Sequence, residues 1–193
     1  MKVIAKPKEE ILAPGSAAGW DKWLAANHAR STGVLLRIDK KHAGPAITYA
    51  QALDAALCWG WIDSRKSALD ANAWLQRFTP RKAKSPWSKI NRAKAEALIA
   101  AGKMKPAGRA EVDRAKSDGR WASAYDGARS SAVPQDLAFA LAKNARARAF
   151  FEKLDGANRY AILYRVQTAK KPETRAERIK RFVDMCGRHA KIH

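Results

Sequence analysis

The sequence predicts an α+β protein, with a small antiparallel sheet packed on helices in an N-terminal domain and an all-α helical C-terminal domain. Segments rich in β-formers occur only in the first half, and helical apolar periodicity follows them. All seven tryptophans lie in the first two thirds of the chain. Residues 126–134 are mostly small and polar, which is typical of a linker. We therefore predict an α+β domain over residues 16–126 and a helical domain over residues 134–193.

The first predicted elements are a helix, a strand and a second helix. Apolar residues around Trp20 recur with helical spacing and predict a helix that ends near His28. The aliphatic run 34–39 predicts a strand. Thr48 followed by Gln51 is a capping-box pattern, which indicates where the second helix begins.

A β-hairpin is predicted next. Two strand-like runs, 61–67 and 73–79, are separated by the sequence Asp70-Ala71-Asn72. Asp and Asn favour turns because their short side chains bond to the nearby backbone. The hairpin and the run 34–39 together make a small sheet.

The rest of the chain reads as helices. Ser88 and Gly102 bound one helix, and Pro106 and Gly119 bound the next. Five residues of the first of these are expected to face inward: Ile90, Ala93, Ala97, Leu98 and Ala101. Four helices are predicted in the C-terminal domain, where Asp155 caps the third and Pro172 begins the fourth.

Composition and charge narrow the class of protein. The chain has 193 residues, 38 Lys and Arg against 18 Asp and Glu, and a formal net charge of +20. Hydrophobic residues make up 47% of the chain, which excludes a disordered basic tail. We expect nonspecific attraction to nucleic acid, because the charge is spread along the chain and no DNA-reading helix or RNA-binding aromatic motif is present.

The expected location is the cytoplasm. Cys58 and Cys186 each lie among apolar residues, as buried thiols do. No segment has the roughly 20 apolar residues of a membrane span, and the first residues do not read as a secretory signal. The oligomeric state is not predicted.

Sequence signatures of catalysis are absent. The chain has no glycine-rich phosphate loop, no HExxH motif, no paired CxxC motifs and no GxSxG motif. Cys186, His189 and His193 have a loose metal-ligand spacing, but Cys186 belongs to an apolar stripe and His193 ends the chain. We predict no catalytic residue, no metal site and no cofactor.

Two neighbouring segments suggest a ligand site. Trp61, Asp63 and Arg65 alternate along a predicted strand and are expected to share a face, where they could orient a polar ligand or be a core residue beside an ordinary ion pair. Arg81 and Lys82 precede the predicted start of the Ser88 helix, where the helix dipole makes cations unfavourable unless an anion binds.

The candidate site lies between the hairpin and that helix. In this hypothesis Trp61 stacks on the ligand, while Asp63 orients Arg65 or accepts from the ligand. Positive charge comes from Arg77, Arg81 and Lys82, and Asn91 adds a hydrogen bond.

Six segments also carry a family resemblance: 48–53, 58–64, 76–82, 87–91, 157–163 and 168–175. They resemble the YdeI/OmpD-associated family, whose members are also called bacteriocin-protection proteins. The resemblance implies that the last sixty or so residues form an OmdA-type helical domain. It carries over no catalytic residue.

Three functions remain open at this point. The leading hypothesis is a non-enzymatic binder of an anionic small molecule or polyanion. The second is an enzyme that uses Asp63 as a general base on a small charged substrate. The third is a nucleic-acid accessory protein.

Overall fold

The computed structural model describes residues 9–40 and 47–193, which belong to two compact units. The first unit holds the described residues up to Trp87 together with Asn91–Ser123, and the second holds Ser88–Ile90 and Ala124–His193. The predicted α+β class is confirmed, with the sheet near the N-terminus and helices in the C-terminal region. None of the helices in these ranges has both the length and the apolar character needed to span a bilayer.

A four-stranded sheet forms the frame of the first unit. Its strands are β1 (Ile11–Leu12), β2 (Val34–Asp39), β3 (Trp61–Ala68) and β4 (Ala73–Pro80), in the order β1-β2-β4-β3. The predicted strand and hairpin are present, and β4 pairs antiparallel with both β2 and β3. The sequence did not indicate β1, which pairs parallel with β2, because two residues are too few to show alternation.

Four helices precede the C-terminal region: α1 (Ala17–Asn27), α2 (Tyr49–Cys58), α3 (Lys89–Ala100) and α4 (Pro106–Ser117). The capping box of α2 is confirmed, because Thr48 Oγ1 accepts from the Gln51 amide while the Gln51 side chain accepts from the Thr48 amide. Pro106 begins α4 as predicted, and Gly119 follows its end with a φ of +78°, a conformation that favours glycine.

The core of the first unit lies on one face of the sheet. Trp20 of α1 packs against Phe78 of β4 and Trp61 of β3, with ring centroids 5.6 and 6.4 Å apart. The Trp20 indole also donates to the Ala52 carbonyl of α2 at 3.1 Å. The part of this face around Trp20 therefore belongs to the core and is closed to a ligand.

The predicted inward stripe of α3 is wrong. Ile90, Ala93, Ala97 and Ala101 are exposed, Leu98 is only half-buried, and Ala95 is the buried residue of the helix. Polar contacts replace the apolar stripe, because Lys94 pairs with Asp54 of α2 at 2.7 Å and Arg92 donates to the Trp121 carbonyl. Apolar periodicity could not reveal a face whose contacts are made by charged side chains.

The second unit is a helical cluster made by α5 (Gln135–Ala142), α6 (Ala145–Glu152), α7 (Gly156–Gln167) and α8 (Pro172–Gly187). Leu137, Phe151, Ile162 and Phe182, one from each helix, are buried together in its core. The predictions that Asp155 caps α7 and that Pro172 begins α8 are confirmed.

A buried asparagine fixes the C-terminal tail to α7. The side-chain oxygen of Asn158 accepts from the backbone amides of Ile192 and His193, each at 2.9 Å. Its amide nitrogen donates to Asp155. The last residues are therefore bound to the second unit through this side chain, together with an ion pair from Lys191 to Asp155 at 3.5 Å.

An ion pair joins the first turn of α5 to α8 and makes stability depend on pH. Arg175 donates to Asp136 through Nε at 2.6 Å and Nη2 at 2.9 Å, and this hydrogen bonding lowers the pKa of Asp136 below its ordinary value. A carboxyl with a lowered folded-state pKa stabilises the fold above its unfolded pKa, and that stability is lost as the pH falls through the folded value.

We therefore expect the thermal stability of Asp136→Asn to fall less than that of the parent when the pH is lowered from about 5 to 2. Thermal unfolding followed by circular dichroism measures this. Asp184→Asn, at an exposed position of α8, is the matched control, and equal slopes for the two variants would contradict the prediction.

Candidate functional site

A bulge in β3 divides the predicted ligand residues between the two faces of the sheet. Asp63 pairs with Phe78 and Lys66 with Gln76, so three steps along β3 match two along β4. Such a bulge shifts the alternation of side chains by one residue. Lys66 therefore continues the row of Trp61 and Asp63, and Arg65 turns to the opposite face. The prediction that Trp61, Asp63 and Arg65 share a face is wrong.

Trp61 lies in the core. Only 1% of it is exposed, its ring meets Trp20 and Trp23 edge-on, and its indole donates to the His28 carbonyl at 3.1 Å. The structure therefore places Trp61 in the core position that the sequence left open as the alternative to a stacking surface.

Asp63 is half-buried and bonds to a tyrosine. Tyr49 at the start of α2 donates its hydroxyl to Asp63 Oδ2 at 2.7 Å. Burial, together with this hydrogen bond to a carboxylate, raises the pKa of Tyr49 far above its ordinary value. Next in the row, Lys66 lies 4.3 Å from the Trp74 ring centroid. The partner of Asp63 is thus Tyr49 rather than the expected Arg65.

Arg65 and Arg77 meet on the opposite face of the sheet, around Glu9. Arg77 Nε donates to Glu9 Oε1 at 2.6 Å, and Arg65 Nη2 donates to Glu9 Oε2 at 3.3 Å. Each carboxylate oxygen is thus held by a different guanidinium. These interactions, led by the hydrogen bond from Arg77, lower the pKa of Glu9. Of the predicted site residues, Arg65 and Arg77 are the two that share a charged partner.

The basic loop after β4 contains one buried cation, Arg81, and two exposed ones, Lys82 and Lys84. Arg81 is only 6% exposed, and its guanidinium carbon lies 3.5 Å from the Trp87 ring centroid. It also donates to the Pro86 carbonyl at 3.2 Å. Lys82 is exposed, and its backbone amide donates to Ser85 Oγ. Arg81 therefore holds the loop, and Lys82 and Lys84 offer their charges to solvent.

Arg120 is a second buried guanidinium at this loop, and the sequence analysis missed it. Its Nη1 donates to the Ser85 carbonyl at 2.8 Å, and its Nε donates to Asp118 at 2.7 Å. Arginines thus bind the consecutive carbonyls of Ser85 and Pro86. Ser85 and Arg120 are 35 positions apart, so no local spacing in the sequence would reveal this pairing.

The start of α3 already has polar partners within the second unit. The Lys89 amide donates to the Tyr125 carbonyl at 2.8 Å, and the Lys89 side chain pairs with Asp126 at 2.7 Å. Asn91, the last predicted site residue, is half-buried two residues further along the helix. Fewer free amides are thus left at the start of α3 to bind an anion, because one first-turn amide is already bonded.

The loose metal pattern at the C-terminus has other contacts. Cys186 is buried in the core of the second unit. The His189 ring stacks on Phe150 with centroids 5.0 Å apart, and its Nε2 accepts from Arg146 Nε at 3.3 Å. Burial raises the pKa of the Cys186 thiol, which disfavours the thiolate that a metal would require.

Comparison with known proteins gives two family matches. Residues 12–111 match a family described as a domain of unknown function (DUF8412), and residues 130–189 match OmdA, described as "Bacteriocin-protection, YdeI or OmpD-Associated". No curated protein and no solved structure matches the chain. The first match covers slightly more than half of the chain, and the second lies in the region that the sequence resemblance indicated. The chain therefore belongs to the DUF8412 family and carries a C-terminal OmdA domain of the YdeI/OmpD-associated type.

Proposed function

We propose that the protein is a non-enzymatic binder of an anionic ligand, and that Arg65 and Arg77 hold a carboxylate or phosphate group of that ligand. One observation supports this proposal above all: both guanidiniums converge on the single carboxylate of Glu9. A planar guanidinium matches the geometry of carboxylate and phosphate oxygens. Glu9 thus marks where an external anion would bind.

The charge balance at this place favours an added anion. Two arginines face one glutamate, so the group keeps one excess positive charge. The neighbouring Arg37 on β2 contributes no further excess, because it pairs with Asp39 at 2.8 Å. A divalent phosphate in place of Glu9 would neutralise both guanidiniums.

The segment that carries Glu9 is held weakly enough for an anion to displace Glu9. It continues into the two-residue strand β1, whose Ile11 is half exposed, and its backbone link to β2 includes one bond from the Leu35 amide to the Glu10 carbonyl. A short edge strand with little buried apolar surface has low local stability. An incoming anion therefore displaces Glu9 at small cost.

We further propose a cytoplasmic location. Cys58 and Cys186 are both buried, and neither is in a disulfide. Thiols persist in the reducing environment of the cytoplasm.

The test is calorimetric titration with inorganic phosphate at neutral pH. We expect Glu9→Gln to bind phosphate several-fold more tightly than the parent, because it removes the competing charge. The double variant Arg65→Ala/Arg77→Ala should lose binding. Arg30→Ala/Arg109→Ala, with the same change of charge at two exposed positions, is the control.

Two results would count against the proposal. Equal phosphate affinity in both double variants would show that the binding is nonspecific. Glu9→Gln with unchanged affinity would show that its carboxylate does not occupy the ligand position. Filter binding of duplex DNA at two salt concentrations tests the polyanion alternative, which predicts a steep salt dependence that is equal in the two double variants.

A further inference from the structure

A groove of about 560 Å³ runs between α5 and α8 in the second unit. It follows α8 from Pro172 to Asp184, about 18 Å at 1.5 Å per residue. Its apolar lining is contributed by both helices: Ala140, Pro172, Ala176, Ile179 and Val183. The volume is within the range of small-molecule sites, about 300–1,000 Å³.

One wall of the groove is electrically neutral and fixed. Asp136 and Arg175 line it and form the bidentate pair already described. The remaining nitrogen of Arg175, Nη1, donates to the Val166 carbonyl at 2.8 Å. All the guanidinium nitrogens are therefore engaged, and this pair shapes the groove without offering charge to a ligand.

The remaining charges of the groove have a positive excess. Lys143 and Lys180 line it together with one acid, Asp184. Within the described ranges no ion pair joins either lysine to an acidic side chain, and Lys143 lies 4.3 Å over the exposed Phe139 ring. Residues 124–193 also carry 15 Lys and Arg against 7 Asp and Glu. This field favours an anion and disfavours a cation.

We propose that the groove binds a small amphiphilic carboxylate. Its apolar body lies along Ala176, Ile179 and Val183, and its carboxylate lies at Lys143 and Lys180. Apolar burial supplies affinity and the lysines fix the orientation of the ligand. This site lies in the OmdA domain and does not depend on Arg65 or Arg77.

The first experiment uses the fluorescent probe anilinonaphthalene sulfonate, which has an aromatic body and one negative charge. We expect a saturable rise in fluorescence that decanoate reverses. Acetate should not reverse it, because it has the charge without the apolar body. Decanol should compete at least about tenfold more weakly than decanoate, since it lacks the charge-assisted contact.

Variants then locate the binding. Ala176→Leu should fill the groove and abolish displaceable fluorescence, whereas Ala149→Leu, at an exposed position of α6, should leave it unchanged. Lys143→Gln/Lys180→Gln should remove the preference for decanoate over decanol. Lys153→Gln/Lys170→Gln, also exposed in this unit, is the matched control.

Two outcomes would overturn this proposal. Equal binding by the two leucine variants would place the probe outside the groove. Equal competition by decanol and decanoate in the parent protein would show an apolar surface with no anion selectivity. Neither outcome affects the proposal for Arg65 and Arg77, which the phosphate titration tests separately.

Discussion

Trp61→Ala is expected to lower the free energy of unfolding by about 3–5 kcal/mol, the usual cost of truncating a buried tryptophan. The ring packs against Trp20 and Trp23, and its indole nitrogen bonds to the His28 carbonyl. The variant therefore leaves a cavity and an unpaired carbonyl. Urea unfolding followed by circular dichroism measures the change.

Two further variants separate packing from ligand contact. Leu69→Ala, at an exposed position of the same hairpin, should change stability by less than about 0.5 kcal/mol. Trp61→Phe should cost less than Trp61→Ala because it keeps an aromatic ring in the core. A Trp61→Ala protein as stable as Leu69→Ala would contradict the core position of Trp61.

Arg81→Ala is expected to cost about 2 kcal/mol or more, because it removes a desolvated guanidinium from the Trp87 face. It also removes the donor that bonds to the Pro86 carbonyl. The adjacent Lys82→Ala is the matched control and should stay within about 0.5 kcal/mol, since that side chain is exposed. The measurement is urea unfolding of both variants.

Repeating the measurement in chloride and in phosphate buffer separates the two roles of Arg81. A residue that holds its own loop gives the same loss of stability in both buffers. A loss confined to phosphate buffer would instead support the original hypothesis of an anion at this loop. Equal costs for Arg81→Ala and Lys82→Ala would contradict the structural role.

Local patterns predicted most elements of the fold. The capping box at Thr48, the turn at Asp70 and the cap at Asp155 each depend on residues within four positions of one another, so the sequence reveals them directly. Strand β2 over 34–39 was predictable for the same reason, because the buried residues Val34, Leu36 and Ile38 alternate with half-buried ones.

The site depended on contacts that no local rule describes. Glu9 pairs with Arg77 across 68 residues and with Arg65 across 56, so its role is invisible in any short window. The sequence identified Arg65, Arg77 and Arg81 as functional cations. It could not show that Arg65 and Arg77 share a partner on the sheet while Arg81 is buried in the loop after β4. Burial of Arg81 by Trp87 depends on the path of the loop, which spacing does not determine.

The extra residue in β3 between Asp63 and Lys66 has a consequence for how this hairpin tolerates changes in length. Deleting Ser64 would remove the offset and leave Arg65 directly after Asp63 and opposite Arg77, so Arg65 would stay on the face of Glu9. The pairing of Trp61 with Pro80 and of Ala68 with Trp74 could be retained on either side. The hairpin would thus lose one codon while the arginine pair stays on one face of the sheet and the Tyr49–Asp63 pair stays on the other.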